Sequence, residues 1–382
     1  MNARWVAAAV VIAALGALFT YLGLPAGWLI AGMLGAAAVA LVSRRALTPP
    51  ATAMSAAQGV IGVVAVEPLT KLTASDLAHF AGCAAFSVGV TLGLSLVLGL
   101  LLARLAKDLG GATANLSLIA GGASTISSMA RELGADERYV ALSQYLRLTI
   151  VVLTMPVVLH ALGTSDPKPE PVVAHDHWTV LGLLAMAALI VVAGRGAQLI
   201  RLPAPFLLGP LVATSVLAIA EPSFVTFVGP TTVVTDIAYV VIGWQAGGGF
   251  AVDVLRRFVR LIPLTLAFIA LTIGSCFGVA VVVSHWASVP LSDAYLATTP
   301  GGIYGVLAIA TEVHSGPIVV TLQVLRLITM VLAAGMIPKV IGWLGQRRGR
   351  VGGAAVNSCS GLPVVPYLSP TVTSPEPASV AR

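Results

Sequence analysis

The sequence predicts an all-α integral membrane protein built as two inverted repeats, with about ten transmembrane helices plus two re-entrant or broken hairpins. Three observations carry that expectation. The composition suits no soluble surface, apolar runs of spanning length fill nearly the whole chain, and an internal duplication puts opposite charge on corresponding loops.

Of 382 residues only 9% are charged and 58% are hydrophobic, and mean hydropathy is +0.97. A soluble domain uses roughly 25% charged residues, so the surplus apolar surface must face lipid. Runs at or near the roughly 17 to 25 residues that cross a bilayer are Trp5–Leu22, Gly27–Val42, Ala53–Val66, Phe80–Leu105, Tyr139–Leu162, Val180–Ile200, Phe206–Ala220, Val233–Trp244, Leu261–Val283 and Ile318–Ile337. No soluble domain fits between them. The first run leads directly into a second, so it reads as a membrane helix rather than a cleaved leader.

The formal charge of +6 could suggest nucleic acid, but the basic residues stand singly or in pairs at the ends of apolar runs. That is the pattern of cytoplasmic loops in a bacterial inner membrane, and no soluble basic module is present. Cys83, Cys276 and Cys359 are far apart and the histidines are scattered, so no disulfide framework, metal site or cofactor is expected. The expected partners are the lipid bilayer and a small solute. A homo-oligomer is left open.

Three blocks recur at an offset of about 180 residues. Leu24-Pro25-Ala26-Gly27-Trp28-Leu29-Ile30 returns as Leu202-Pro203-Ala204-Pro205-Phe206-Leu207-Leu208, and Val60-Ile61-Gly62 as Val241-Ile242-Gly243. Most specific is Gly121-Gly122, Glu132 and Gln144-Tyr145-Leu146-Arg147-Leu148, matched by Gly301-Gly302, Glu312 and Gln323-Val324-Leu325-Arg326-Leu327. The chain therefore divides into a membrane repeat over 1–163, a periplasmic linker over 164–177, a second repeat over 178–346 and a disordered cytoplasmic tail over 347–382, low in complexity.

Arg44-Arg45, Arg104 and Lys107 in the first half face Glu221, His285 and Asp293 at matching places in the second. Conversely Arg195, Arg201, Arg256, Arg257 and Arg260 fill loops whose counterparts hold at most Lys71. By the positive-inside rule the halves are inverted. Inversion needs an odd number of crossings per half, yet each half shows six apolar segments. The fifth, Gly111–Gly134 and its twin Tyr295–Thr311, is broken by a glycine pair, so both are read as re-entrant hairpins. Both termini are then cytoplasmic, with Lys71 and Lys168 as outliers.

Irregular backbone at membrane depth survives only inside protein or against a wet cavity, so the breaks at Gly121-Gly122 and Pro300-Gly301-Gly302 are candidate substrate-binding tips. Each starts a half-helix whose free N–H groups suit an anionic or carbonyl-bearing solute. Ser124 and Thr125 follow the first break, Tyr304 the second. The plainer reading is that the glycines only let helices pack closely.

Arg147 and Arg326 lie about 15 Å into their helices, at mid-membrane, with Gln144 and Gln323 three residues earlier on the same face. An arginine there costs about 2.5 to 3.5 kcal/mol unless it is paired or wetted. Either each satisfies carbonyls freed by its hairpin, or it also holds a substrate carboxylate. Asp236, whose repeat partner is Ser55, is a candidate ion-coupling acid or simply a helix-start acid near the outer interface. Glu132 and Glu312 end the hairpins and are expected to pair with nearby arginines.

Thr299-Pro300-Gly301-Gly302, with Gln323 and Arg326 downstream, resembles the signature of the AbrB family of Gram-negative membrane proteins, whose duplication covers essentially the whole chain. The first copy departs from it, with Ile119-Ala120 before the glycines and Asp136 where the second has Gly316. The resemblance implies the labels attached to the family, a regulator of gene expression or an ammonia monooxygenase. Inverted repeats with broken hairpins instead predict a secondary transporter of a small solute, anionic or carbonyl-bearing, not an enzyme. A membrane sensor that affects gene expression indirectly is the alternative, and a monooxygenase is the least supported, for want of clustered His and carboxylate ligands.

Overall fold

The computed structural model describes residues 3–71, 74–107, 109–119, 123–163, 179–221, 223–250 and 252–333, all within one compact unit, Met1–Ile337. The expected linker, the tail, Gly121 and Gly122 lie outside the described residues.

All regular structure among the described residues is helical. The first half holds α1 (Ala3–Tyr21), α2 (Gly27–Ser43), α3 (Ala51–Val64), a 3₁₀ turn (Glu67–Lys71), α4 (Ala74–Leu105), α5 (Gly111–Leu118), α6 (Ala123–Glu132) and α7 (Glu137–Ala161). The second holds α8 (Val180–Leu199), α9 (Pro205–Ala220), α10 (Ser223–Val228), α11 (Thr232–Gly248), α12 (Val252–Arg257), α13 (Ile262–Ala287), α14 (Leu291–Thr298), α15 (Ile303–Glu312) and α16 (Pro317–Ala333). Six described segments are long and apolar enough to cross a membrane: Arg4–Tyr21, Ala51–Thr70, His79–Leu105, Glu137–Ala161, Val180–Leu199 and Ile262–Ala287. The outward faces of four of these are hydrocarbon. Val10, Val97, Val157 and Val192 are each more than 60% exposed. Among the shorter apolar helices are α2, α9 and α16. A 17-residue helix such as α2 is about 25 Å long, a little under the roughly 30 Å hydrocarbon core.

Several helix starts follow from sequence. Asp136 accepts from the N–H groups of Arg138 and Tyr139 at 3.0 and 3.2 Å to cap α7, and Thr179 accepts from Gly182 N–H at 3.0 Å to cap α8. Thr231 caps α11 in the same way through Val234 N–H. The starts of α2 and α9 are unusual. Ala26 and Ala204, each after a proline, take left-handed backbone with φ of 54° and 45°, a conformation that disfavours any side chain with a Cβ.

The packing is reciprocal between the halves. Helix α1 packs on α2 as α8 packs on α9, while α2 crosses to α11 and α9 crosses to α3. Small residues permit the crossings. A Cβ on Gly243 or Gly247 would run into the carbonyl oxygens of Leu29 and Met33 on α2, and one on Gly62 into the carbonyl oxygen of Leu207 on α9. Trp244 Nε1 donates to Leu47 O at 2.7 Å, and Leu47 N–H donates to Gly248 O at 2.8 Å, tying the α2–α3 connection to the end of α11. Helices α4 and α13 meet each other and carry α5 and α14 respectively.

Candidate functional site

Each broken segment is a pair of short helices, α5–α6 and α14–α15, and each first arm ends where the chain turns extended. Ile119 has φ −70° and ψ 128°, and Thr299 has φ −58° and ψ 131°. Pro300 supports the second break, because the residue before a proline is pushed out of helical geometry. Both exits strand carbonyl oxygens in apolar surroundings, where an unmet acceptor is expensive.

The glutamine and arginine of the following helix meet those carbonyls. Gln144 Nε2 donates to Leu116 O and Ile119 O, each at 2.8 Å, and Arg147 Nη1 donates to Leu118 O at 3.0 Å. In the second half Gln323 Nε2 donates to Leu296 O at 2.6 Å, while Arg326 Nη1 donates to Thr298 O at 3.0 Å and Thr299 O at 2.5 Å. In each pair the arginine Nη2 also donates to the glutamine Oε1, at 2.5 and 2.7 Å. The i, i+3 spacing thus sets two donors side by side on one face, and the amide oxygen holds the guanidinium in place. Both arginines are 4% exposed. No carboxylate among the described residues pairs with either.

The hairpin bases are stitched by matching bonds of swapped chemistry. Asp136 N–H donates to Thr113 Oγ1 at 3.0 Å, and Gly316 N–H donates to Asp293 Oδ2 at 2.9 Å. The Asp136/Gly316 difference between the copies costs nothing here, since both supply the same backbone donor.

A cavity of about 40 Å³ opens at the tip of the second hairpin. By volume it would hold a few water molecules or a small solute. Gly301, Gly302 and Tyr304 form one wall, Gln144, Arg147 and Leu148 on α7 another, and Leu29 and Met33 of α2 face Ile242, Gly243 and Gln245 of α11 across it. The glycines also let the tip press on α7, because a Cβ on Gly302 would meet the Leu148 side chain and one on Gly301 that of Val151. Close packing and a solute-facing tip therefore coexist.

Other expected residues fall elsewhere. Pro300, Gln323 and Arg326 are buried but do not line this cavity. Ser124 and Thr125 lie in α6, with side chains outside the described ones, and Gly121 and Gly122 are outside altogether. Asp236 sits within α11, away from the cavity, and makes no hydrogen bond or ion pair among the described residues. Glu312 corrects the expectation of an arginine partner. Its carboxylate accepts from the N–H of the left-handed Ala26 at the start of α2, a donor that no side chain of α2 itself caps. Beside it Tyr239 and Thr311 share a 2.7 Å hydroxyl–hydroxyl bond. Glu132, the matching acid, is exposed and makes no hydrogen bond among the described residues; its neighbour Arg131 pairs with Glu137 at 2.8 Å.

The family described as Transition state regulatory protein AbrB matches residues 28–343, across both hairpins and both Gln–Arg pairs. The chain belongs to the AbrB family. It is 33% identical over 267 residues to a protein of Escherichia coli (strain K12) named "Putative regulator AbrB", covering 69% of this chain and 74% of the relative. It is 28% identical over 230 residues to "Uncharacterized protein YhjN" of Bacillus subtilis (strain 168), covering 53% of this chain and 57% of that protein. No solved structure matches the chain.

In this AbrB-family chain, sequence reasoning missed the α2 and α11 walls of the cavity. A partial signal existed, since Leu29 and Gly243 both stand in duplicated blocks, and Gln245 is the one amide beside the second of them. Tyr145 carried the same partial signal, standing between Gln144 and Arg147 in the third block, whereas nothing in the sequence pointed to Met33, which reaches the cavity only through the helix crossings.

Proposed function

We propose that this AbrB-family chain is a secondary transporter of a small anionic solute, set in the bacterial inner membrane as two inverted repeats of ten crossings and two re-entrant hairpins. The observation that carries the reading is the cavity at the tip of the second hairpin, edged by an arginine with no acidic partner among the described residues. Supporting it are the hairpins' matching hydrogen bonds and the reciprocal helix contacts. Such halves can exchange roles across the bilayer. The second hairpin is docked to α2 through Glu312 while the matching Glu132 makes no hydrogen bond among the described residues, a difference fitting a protein with two alternative states. Asp236, half-buried in α11 one turn before the Tyr239 that bonds Thr311, is the ion-coupling candidate.

A second reading, a membrane sensor acting on gene expression indirectly, draws on the names of the family and of the E. coli relative. Flux separates the two. Proteoliposomes holding the purified protein should take up small anions faster than protein-free liposomes, and absence of flux for every anion tested would leave the sensor. The same vesicles, prepared in one orientation, test the architecture. Cysteines replacing Arg44 and Arg256 should resist an impermeant reagent on the periplasmic face while one replacing Ser165 reacts. Labelling at 256 but not at 44 would make the halves parallel and remove the inverted arrangement.

A further inference from the structure

Resting on the transport reading, the cavity walls narrow the chemistry of the solute. Arg147 is the single charged residue in the lining. Its Nη1 and Nη2 are held by Leu118 O and Gln144 Oε1, but its Nε–H meets no acceptor among the described residues. The described ion pairs, Arg131–Glu137 and Arg257–Asp136, lie at helix ends and leave it without a counter-charge. A buried guanidinium in that position favours a bound anion, because removing a charge from water without a partner is costly.

A second donor set faces the same space. Helix α15 starts at the tip with Gly302 as its cap, no side chain satisfies its first N–H groups, and Tyr304 and Gly305 of that first turn line the cavity. Free N–H groups at a helix start add a partial positive charge of roughly half a unit. One guanidinium and one helix end match one negative charge.

The remaining wall argues against a second charge. Leu29, Met33, Leu148, Val152, Ile242 and Ile303 are apolar, the Gln144 amide is already committed to the first hairpin's carbonyls, and Gln245, Tyr145 and Tyr304 add neutral polar groups but no second positive charge. Sulfate, phosphate or a dicarboxylate would bring a second negative charge with no positive charge to meet it. An alkyl group, in contrast, gains by leaving water there. We propose that the solute is a short-chain monocarboxylate, its carboxylate at Arg147 and the start of α15, its alkyl tail among Leu29, Met33 and Ile242.

Calorimetry and thermal stability of the full-length protein in detergent test this with acetate, propionate and butyrate against sulfate, phosphate and succinate. Each added methylene should tighten binding about fourfold until the cavity is full. The doubly charged anions should bind at least about tenfold more weakly than propionate, in keeping with the cost of burying an unmet charge. Arg147→Lys should weaken propionate about tenfold through loss of the planar fork. Ile242→Ala, which leaves the charge in place, should flatten the dependence on tail length, so the test survives if Arg147→Lys does not fold. Equal or tighter binding of sulfate, phosphate or succinate, or affinity indifferent to tail length, overturns the proposal. Propionate that binds but is not carried into proteoliposomes keeps the solute class and removes transport. Flux of another anion with no monocarboxylate binding keeps transport and removes the class.

Discussion

Gly243→Val should leave little folded protein in detergent, whereas Gly278→Val should fold with nearly unchanged thermal stability. Both substitutions put a β-branched side chain into the interior of a helix, so intrinsic helix preference and hydropathy change alike. They differ in what the new atoms meet. At Gly243 even a Cβ overlaps the Leu29 carbonyl oxygen on α2 and sits within 3.0 Å of Met33 N and Leu29 C, all backbone that no rotamer change can move aside. At Gly278 on α13 nothing lies within 4 Å. Overpacking commonly costs 1 to 3 kcal/mol, and a clash with backbone on both sides of a helix crossing should reach about 3 kcal/mol or more. Gly62→Val, which drives the same clash against Leu207 O on α9, should behave like Gly243→Val because the two crossings are reciprocal. Yield and melting temperature by size-exclusion chromatography after heating give the answer. Equal melting temperatures for the Gly243 and Gly278 variants would mean that the α2–α11 contact is not as close as described.

The contrast also shows which parts of this molecule were legible in sequence. Long helices were, because lipid demands a run of apolar residues and a run is a local property; α1, α4, α7, α8 and α13 lie where those runs lie. The second break was legible for the same local reason, a glycine pair with proline beside it, and so was the placement of Gln and Arg on one helix face. So was one of the two expected roles of the arginines, since Arg147 and Arg326 do meet carbonyl oxygens at the breaks, although which carbonyls they meet was not. The donor to Glu312 is the N–H of Ala26, a backbone group far off along the chain that spacing cannot reveal. An acid with arginines nearby in sequence therefore invited the wrong partner. The cavity draws on four separated segments, with Leu29 and Ile242 far apart along the chain, and it exists only because glycines bring α2 and α11 into contact.

That distinction sharpens what the two central arginines should do when altered. Arg326 donates to Thr298 O, Thr299 O and Gln323 Oε1, and it does not line the cavity. A lysine there keeps the charge but offers a point donor in place of a planar fork, so at least one of those bonds is lost in a site that water cannot repair. Each lost bond to a charged donor is worth about 1.5 to 3 kcal/mol. Arg326→Lys should therefore lower the melting temperature markedly while the protein that remains folded binds solute with unchanged affinity. Arg147 makes the equivalent bonds to Leu118 O and Gln144 Oε1 but also edges the cavity, so Arg147→Lys should lose both stability and affinity. Measuring melting temperature and solute affinity on the same preparations separates the two roles. If Arg326→Lys keeps its melting temperature and loses affinity, the solute reaches Arg326 as well, and the first hairpin then needs a cavity of its own facing the second half.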